Sequence, residues 1–304
     1  MRALITGGSG FVGRALTAHL EAEGDEIVFV DRAKGGVDIT DRASIGNAVQ
    51  EADAEVVYHL AAQAHVPTAW KEPVATMRCN VEGTINVLDA AYEAGVKRVI
   101  FASSAEVYGS VTAADLPVTE AALPQPNNPY AASKLAAEAY VGQSFYSRDQ
   151  EVIILRSFNQ FGPGQATGFV SSSFANQIAR AELGGPSDIK VGRLDTRRDF
   201  IDVRDVARAF RLAATSGRAG AIYNVCSEVD RAVSEIANGL AEKATIDVRF
   251  VRRTDLLRTV DTPVVRGDAS ALNADTGWTP EINFETTLHD VLVDARARVA
   301  NGED

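Results

Sequence analysis

Gly7-Gly8-Ser9-Gly10-Phe11-Val12-Gly13 lies between two segments with different hydrophobic patterns. Before it, Arg2-Ala-Leu-Ile-Thr6 is mostly apolar, as is typical of a buried parallel strand. From Phe11 to Glu23, apolar residues recur at helical spacing. A glycine-rich turn between a strand and a helix is the context in which such turns bind the pyrophosphate of a dinucleotide. The stretch therefore predicts a dinucleotide site at the first turn of an α/β fold.

Three glycines in this stretch have separate roles in that prediction. Gly7 permits the tight turn, Gly10 lets the backbone approach a pyrophosphate, and Gly13 lets the helix pack close to the strand. The exposed N–H groups and the dipole at the start of the helix favour the phosphate charge. The glycines are spaced by three and three, which differs from the two and three of the G-x-G-x-x-G pattern.

An acidic residue follows the second predicted strand, Glu26-Ile-Val-Phe-Val30. Asp31 stands where a carboxylate bonds the ribose hydroxyls of the adenosine. That carboxylate disfavours a phosphate on the ribose and so favours NAD(H). Arg32 beside it offers a guanidinium that pairs with phosphate, so NADP(H) stays open as the alternative.

Composition limits the classes of protein and partner. A chain of 304 residues with 46% hydrophobic and 23% charged residues is ordinary for a globular protein of one large or two small domains. A net charge of −11 argues against a nucleic-acid partner, which needs a basic face. Cys79 and Cys226 lack metal-ligand spacing, so we expect reduced core cysteines and no metal. The chain has no apolar run near 18 residues, which predicts no membrane partner and a cytoplasmic location.

Strand and helix patterns alternate through the first half. Further strands are predicted at 55–59, 97–103, 151–156 and 222–225, and further helices at 80–94, 129–147 and 202–214. This alternation predicts a doubly wound parallel Rossmann sheet with a smaller mixed α/β substrate-binding subdomain. We assign residues 1–158 and 199–226 to the NAD(P)-binding domain, and residues 159–198 and 227–304 to the substrate-binding subdomain.

Tyr130 and Lys134 are four residues apart in a predicted helix, so they share one face. An ammonium near a phenol is expected to lower the pKa of the phenol and make it a proton donor or acceptor near neutral pH. Ser104 ends the fourth predicted strand, where its hydroxyl would hold a carbonyl oxygen. The alternative is a surface tyrosine beside a solvated lysine.

Six segments together resemble the extended short-chain dehydrogenase/reductases over essentially the whole chain. They are the glycine run, His59-Leu-Ala-Ala62, Asn80-Val-Glu-Gly-Thr84, Ser103-Ser-Ala-Glu-Val-Tyr-Gly109, Tyr130-Ala-Ala-Ser-Lys134 and Arg197-Arg-Asp-Phe-Ile-Asp-Val203. Within this family, which acts mostly on nucleotide sugars, the second half resembles the GDP-4-keto-6-deoxy-D-mannose reductases. The segments that carry this closer resemblance include Arg156-Ser-Phe-Asn-Gln-Phe-Gly-Pro-Gly-Gln165, Lys190-Val-Gly192 and Tyr223-Asn-Val-Cys226.

The resemblance implies reduction of GDP-4-keto-6-deoxy-D-mannose to GDP-D-rhamnose, or its 4-epimer, with NAD(P)H. Tyr130 would protonate the forming oxyanion, Lys134 would assist it and bond the nicotinamide ribose, and Ser104 would orient the carbonyl. The implied cofactor contacts are Gly7, Gly10, Phe11, Val12, Gly13, Asp31, Arg32, Asp38, Ile39, Leu60, Ala61, Ala62, Asn80, Tyr130 and Lys134. The implied substrate contacts are Ser104, Glu106, Asn159, Val170, Arg193, Arg198 and Arg258.

The roles implied for Glu106 and for the two arginines Arg198 and Arg258 each have an alternative interpretation. Glu106 matches the catalytic base of the related GDP-mannose 4,6-dehydratases, but reductases also carry a glutamate there, and the alternative is a polar residue in a solvated cleft. Ala105 and Asp31 both depart from the dehydratase pattern. Arg198 and Arg258 match arginines that contact the diphosphate in relatives, where a planar guanidinium fork suits phosphate oxygens, and the alternative is ordinary surface arginine.

Three rival functions stay open. They are a nucleotide-sugar 4-epimerase, a GDP-mannose 4,6-dehydratase and a non-catalytic NAD(P)-binding sensor, against which the Tyr130–Lys134 pair argues. The family also implies a homodimer in which the predicted helices 80–94 and 129–147 of two subunits form a four-helix bundle.

Overall fold

The computed structural model describes residues 1–33, 36–256 and 262–303. Its strands are β1 (Arg2–Thr6), β2 (Glu26–Val30), β3 (Val56–His59), β4 (Arg98–Ser104), β5 (Glu151–Ser157), β6 (Asn159–Phe161), β7 (Asp188–Val191), β8 (Arg197–Asp202), β9 (Ile222–Val225), β10 (Asp230–Ala232), β11 (Arg249–Arg252) and β12 (Val264–Val265). Its α-helices are α1 (Phe11–Ala22), α2 (Arg42–Ala52), α3 (Val66–Lys71), α4 (Pro73–Met77), α5 (Gly83–Glu93), α6 (Pro129–Arg148), α7 (Val170–Glu182), α8 (Val203–Ser216), α9 (Val233–Glu242), α10 (Ser270–Thr276) and α11 (Phe284–Ala300).

The central sheet has six strands in the order β2-β1-β3-β4-β5-β9, and all its neighbouring strands are parallel. This confirms the predicted doubly wound parallel sheet. The chain moves from β1 to β2 on one side and returns to β3 on the other, so the strand order reverses between β1 and β3. In sheets of this kind, ligands bind beyond the carboxyl ends of the strands at that reversal.

Helices cover both faces of the sheet, because successive strand residues point to opposite sides. Ile5 packs with α1 and α8 in one hydrophobic core, whereas its neighbour Leu4 packs with α2, α5 and α6 in another. The predicted helix at 80–94 begins as a π-helical turn, Arg78–Glu82, and continues as α5. The helix α2 had no counterpart among the predicted helices.

The second half of the chain forms smaller sheets around a third core. The strand β8 pairs with β6, β10 and β12, and β7 pairs with β11. Helices α7, α9 and α11 contribute Ile178, Leu240 and Leu292 to this core. Leu272 and Trp278, from the segment after β12, are instead buried in the core that holds α1 and α8. The division into two units at the predicted boundaries stays a prediction.

Three structural findings concern the cysteines, membrane-spanning helices and metal ligands. Cys79 and Cys226 are free thiols, and Cys226 is buried. Among the described residues, no helix is both long enough and apolar enough to cross a membrane. The described part of the chain also contains no cluster of three His, Cys, Asp or Glu side chains that would hold a metal ion.

Candidate active site

The glycine loop between β1 and α1 has the geometry that a phosphate site needs. Gly7 has a φ of 76°, and a Cβ there would lie 2.9 Å from the backbone of Ala61. A Cβ on Gly13 would lie 2.3 Å from the Gly7 carbonyl oxygen, so a side chain would push α1 off the loop. A Cβ on Gly10 would meet only that same oxygen, at 3.1 Å, which leaves space above the loop.

The start of α1 fits a bound anion. Gly10 is the N-cap, and no side chain of the described residues caps the helix there. The first N–H groups of a helix have no partner within the helix, and its dipole favours negative charge at that end. Phe11 and Val12 are the first two helical residues, as the predicted cofactor contacts require. The residues present therefore fit the pyrophosphate of a dinucleotide.

Asp31 lies at the rim of this loop, where the adenosine ribose is expected. It is buried, and its carboxylate accepts a hydrogen bond from the Ser9 amide at 2.9 Å. Arg32 beside it is exposed. The amide of Val37 donates to the Asp31 carbonyl, which brings the next two predicted cofactor residues, Asp38 and Ile39, close to it.

Asp38 and Ile39 form a fixed turn beside the ribose position. Hydrogen bonds from the amide and hydroxyl of Thr40 lower the pKa of Asp38. The carbonyl of Ile39 accepts from the Asn86 side chain at 2.9 Å, and its side chain packs against Gly83. Both contacts tie this turn to α5 and so to the edge of the cofactor site.

A buried histidine holds the loop after β3 against the glycine loop. His59 contacts the Thr6 hydroxyl through Nδ1 at 2.7 Å and the Thr84 hydroxyl through Nε2 at 3.0 Å. Thr84 donates its one hydroxyl proton to the Asn80 carbonyl, so it must accept from Nε2–H, and Nδ1 must accept from Thr6. Burial lowers the pKa of His59 to about 3, which keeps the ring neutral. The predicted contacts Leu60, Ala61 and Ala62 follow directly, beside Gly7.

Asn80 braces this loop against α6. Its side chain accepts from the Gln63 amide at 2.8 Å and donates to the Ser133 hydroxyl at 2.8 Å. Ser133 in turn donates to the carbonyl of Tyr130. The predicted cofactor contact Asn80 thus connects the cofactor loop to the helix that carries the predicted proton donor.

The end of β4 and the first turns of α6 bring the three predicted catalytic residues together. Ser104, at the end of β4, lies close enough to the phenol of Tyr130 for its hydroxyl to lower the pKa of that phenol. Lys134 lies one helical turn beyond Tyr130, is buried, and donates to the Ala102 carbonyl at 2.8 Å. Its ammonium also lies 4.9 Å from the centre of the Phe101 ring. The structure therefore places serine, tyrosine and lysine at the carboxyl edge of the sheet.

The pKa of Tyr130 differs from the sequence-based expectation. We expected Lys134 to lower it, but burial raises it to about 12, with the nearby Ser104 hydroxyl lowering it and the charge of Glu106 raising it. Burial also lowers the pKa of Lys134 to about 8. Removing both groups from water disfavours the phenolate as well as the ammonium, and this desolvation is the largest cause of both shifts.

Glu106 lies beside this constellation on the turn after β4. Its carboxylate accepts from the Asn128 side chain at 2.9 Å, and its amide donates to the Ser104 hydroxyl at 3.2 Å. Asn128 also caps α6 by accepting from the Ala131 amide at 2.9 Å. Glu106 is therefore bonded to the residue that begins the catalytic helix.

The predicted substrate residues lie on the elements that follow β5. Asn159 begins β6, and Val170 begins α7. Arg193 forms a two-point ion pair with Asp195, with a shortest distance of 2.7 Å. Arg198 on β8 donates to the carbonyls of Arg197 and Thr262 at 2.7 Å. Arg258 lies outside the described residues.

Sequence reasoning missed several residues that support the site. Gln63 and Ser133 contact the predicted residue Asn80 directly, and Glu138 and Arg156 form a buried ion pair behind the site. The sequence could have indicated Glu138, because this residue lies four residues after Lys134 and therefore on the same helix face. No such spacing indicates Arg156, because it lies on a separate strand, β5.

The glycine loop at the strand reversal, with serine, tyrosine and lysine at the same edge of the sheet, defines an NAD(P)-dependent oxidoreductase of the extended short-chain dehydrogenase/reductase type. The chain belongs to the NAD dependent epimerase/dehydratase family, whose model matches residues 3–226.

Known relatives match almost the full length. The chain is 38% identical over 300 residues to GDP-6-deoxy-D-mannose reductase of Pseudomonas aeruginosa, covering 98% of both chains. Its fold is similar to the structure of RMD from Pseudomonas aeruginosa complexed with NADPH, with a TM-score of 0.91 and 37% identity over 98% of this chain and 100% of that one. It is also similar to UDP-glucose 4-epimerase of Thermus thermophilus in complex with NAD, with a TM-score of 0.88 and 28% identity over 97% and 99% of the two chains.

Proposed function

We propose that this protein is a nucleotide-sugar 4-ketoreductase that reduces GDP-4-keto-6-deoxy-D-mannose to GDP-D-rhamnose or its 4-epimer. The burial of Tyr130 and Lys134 on one face of α6, next to the end of β4 that carries Ser104, is the observation that carries the reaction type. Similarity to a GDP-6-deoxy-D-mannose reductase over 98% of both chains supports the substrate.

Each residue of the site has a separate role in the reduction of a carbonyl. When bound, the reduced nicotinamide supplies the hydride. The Ser104 hydroxyl donates to the 4-keto oxygen and fixes its direction, while Tyr130 delivers a proton to the same oxygen as charge develops there. Lys134 places a positive charge behind the phenol, which stabilises the phenolate that remains. The residues around Asp31 and Gly10 hold the adenosine and pyrophosphate of the dinucleotide.

The decisive experiment is a product analysis. The protein is incubated with enzymatically prepared GDP-4-keto-6-deoxy-D-mannose and either NADH or NADPH, and the product sugar is identified by NMR. We expect stoichiometric oxidation of the cofactor and a single GDP-6-deoxyhexose. No consumption of either cofactor would contradict the proposal.

A second candidate is a 4-epimerase, which the similarity to the Thermus thermophilus enzyme favours. An epimerase returns its cofactor to the starting state and retains it, whereas a reductase exchanges it at every turnover. Purified protein that carries tightly bound NAD and interconverts nucleotide sugars without added NADH would support the epimerase.

The proposal extends to a homodimer that works in the cytoplasm, where reduced nicotinamide is available. Exposed aromatic side chains at the ends of α5 and α6, Tyr92 and Tyr146, support an apolar contact along these helices. Sedimentation velocity at micromolar protein should give the mass of two chains, and a monomer would contradict the dimer.

A further inference from the structure

The last three residues of β4, Ala102–Ser104, each contact a different turn of α6. The Ala102 carbonyl accepts from Lys134 at 2.8 Å, and the Ser103 hydroxyl donates to Glu138 at 2.5 Å. The Ser104 hydroxyl lies close enough to the phenol of Tyr130 to lower its pKa. Tyr130, Lys134 and Glu138 are spaced by four residues, so they occupy one face of the helix. Two of these three contacts involve the predicted catalytic residues Tyr130 and Lys134. The third involves Glu138, one helical turn beyond Lys134.

A buried arginine holds the Glu138 carboxylate in place. Arg156 on β5 donates to both oxygens of Glu138, at 3.0 and 2.7 Å, and the two side chains are only 4% and 5% exposed. The Arg156 guanidinium also lies 4.9 Å from the centre of the Tyr108 ring. A two-point pair of this kind fixes geometry as well as charge. The pair therefore fixes the position of α6 along two neighbouring strands.

Several titratable groups face the Lys134 ammonium. They are Cys79 from the π-helical turn, His59 from β3, and Tyr130 and Glu138 from α6. Burial keeps His59 neutral and raises the pKa of the Cys79 thiol, and the phenol of Tyr130 is protonated at neutral pH. Cys79 and Glu138, when ionised, both oppose the cost of burying the ammonium. Because burial keeps the Cys79 thiol neutral, the negative charge comes from Glu138, which is ion-paired with Arg156.

We propose that Glu138 is a positioning residue of the reductase, which through Arg156 and Ser103 fixes α6 on β4 and keeps Lys134 charged behind Tyr130. The proposal deepens the proposed function and rests on it for its kinetic readout. The pKa of Lys134 is about 8, so the charge is present below this pH and is lost as the pH rises through it. Without the Glu138 carboxylate, that loss should occur at lower pH.

A direct titration of Lys134 tests the charge effect without any turnover. The chain has six lysines, so ¹³Cε-lysine labelling gives a simple NMR spectrum, and the signal lost in Lys134→Arg identifies the residue. In Glu138→Gln we expect the proton affinity of Lys134 to fall about tenfold, as expected when an opposite charge nearby is removed. An unchanged Lys134 titration in folded Glu138→Gln would overturn the proposal.

The kinetic readout separates positioning from a purely structural role. The fall of kcat/KM at high pH should move to lower pH in Glu138→Gln, and Glu138→Asp should restore its position. The matched control is Glu182→Gln, because Glu182 also forms a two-point ion pair, with Arg296 at 2.7 Å, but at the far end of α7. The control should lose stability and leave both the Lys134 titration and the pH profile unchanged.

The titration can still be interpreted if Glu138→Gln does not fold or if the wild-type protein is inactive on the proposed substrate. If Glu138→Gln does not fold because Arg156 is left unpaired, the double variant Glu138→Gln/Arg156→Met removes both charges, and the Lys134 titration must still shift downward for the proposal to stand. If the wild-type protein reduces no GDP-4-keto sugar, the proposed function fails, while the NMR titration still decides the role of Glu138.

Discussion

Burial sets the protonation states of the residues at the base of the site. It raises the pKa of Tyr130 to about 12 and lowers that of His59 to about 3. At neutral pH the phenol is therefore protonated, as its proposed role of proton donor requires, and the neutral imidazole bridges two hydroxyl groups. A protonated phenol near the Ser104 hydroxyl suits reduction of a carbonyl, where the oxygen must gain a proton.

Removing the phenolic hydroxyl should abolish most of the turnover. In Tyr130→Phe we expect kcat to fall by about 10²- to 10⁴-fold, the usual contribution of a general acid. The ring still fills its buried position, so the thermal unfolding temperature and the NADH affinity should stay close to those of the wild type. Steady-state kinetics with calorimetric NADH titration checks this, and near-normal turnover would show that Tyr130 is not the proton donor.

Asp31 should control the choice between the two cofactors. Its buried carboxylate at the rim of the glycine loop repels a phosphate on the ribose, so the wild type should use NADH at least as well as NADPH. In Asp31→Ala the ratio of kcat/KM values should shift toward NADPH, because the repulsion is gone while Arg32 remains. A strong preference of the wild type for NADPH would mean that Arg32 outweighs Asp31.

At the scale of elements, α6 is the part of the fold that organises the chemistry. It runs for 20 residues, with Pro129 at its first position and the Asn128 side chain as its N-cap. Asn128 also donates to Glu106, so the start of the helix is tied to the turn after β4. Since Tyr130 lies within the first turn, any fraying of this end would move the proposed proton donor.

Loss of the two comparable helix caps should therefore have different consequences for catalysis. Asn128 caps α6 and Asn283 caps α11, where it accepts from the Thr286 amide at 2.8 Å. Replacing either by alanine should lower the free energy of unfolding by about 0.5 to 2 kcal/mol. Only Asn128→Ala should also lower kcat, and chemical denaturation together with steady-state kinetics measures both. If Asn128→Ala has the same kcat as Asn283→Ala, the cap of α6 has no effect on catalysis and the prediction is wrong.

At the scale of the whole molecule, charge and connectivity determine how an anionic substrate binds. The net charge of −11 gives no general attraction for a nucleotide diphosphate, so local cations must supply it. Arg14 links the two halves of the chain near the cofactor loop, since it donates to the carbonyls of Ser9 and Gly164 at 2.5 and 2.7 Å. The glycine loop is thereby tied to the segment that leads into the predicted substrate region.

The predicted diphosphate clamp can be tested with GDP alone. Arg198→Met and Arg258→Met should each weaken GDP binding by about ten- to a hundredfold, the expected loss of a charge-assisted hydrogen bond. NADH affinity, measured by the same calorimetric titration, should hardly change, because the glycine loop is a separate anion site. Unchanged GDP affinity in both variants would exclude the clamp, and tighter binding of UDP than of GDP would exclude the proposed substrate class.

The first half of the fold could be predicted because its signals are local. The strands β1 to β5 are apolar runs bounded by turn residues, and their observed ends agree with the predicted ones to within one residue. The glycine loop and the Tyr130–Lys134 spacing are also short-range patterns. In the second half, β9 was predicted with its observed bounds, 222–225, but short strands such as β7 and β12 were not. These strands depend on pairing with distant partners, which no short window of sequence contains.

The sequence alone determined the parallel sheet, the position of the dinucleotide loop and the identity of the catalytic serine, tyrosine and lysine candidates. Only the tertiary structure decided their electrostatics. The expected lowering of the Tyr130 pKa by Lys134 was wrong because packing of α6 onto β4 buries both groups, and desolvation then dominates. The Glu138–Arg156 pair likewise joins a helix to a strand, and such long-range contacts exist only once the chain has folded.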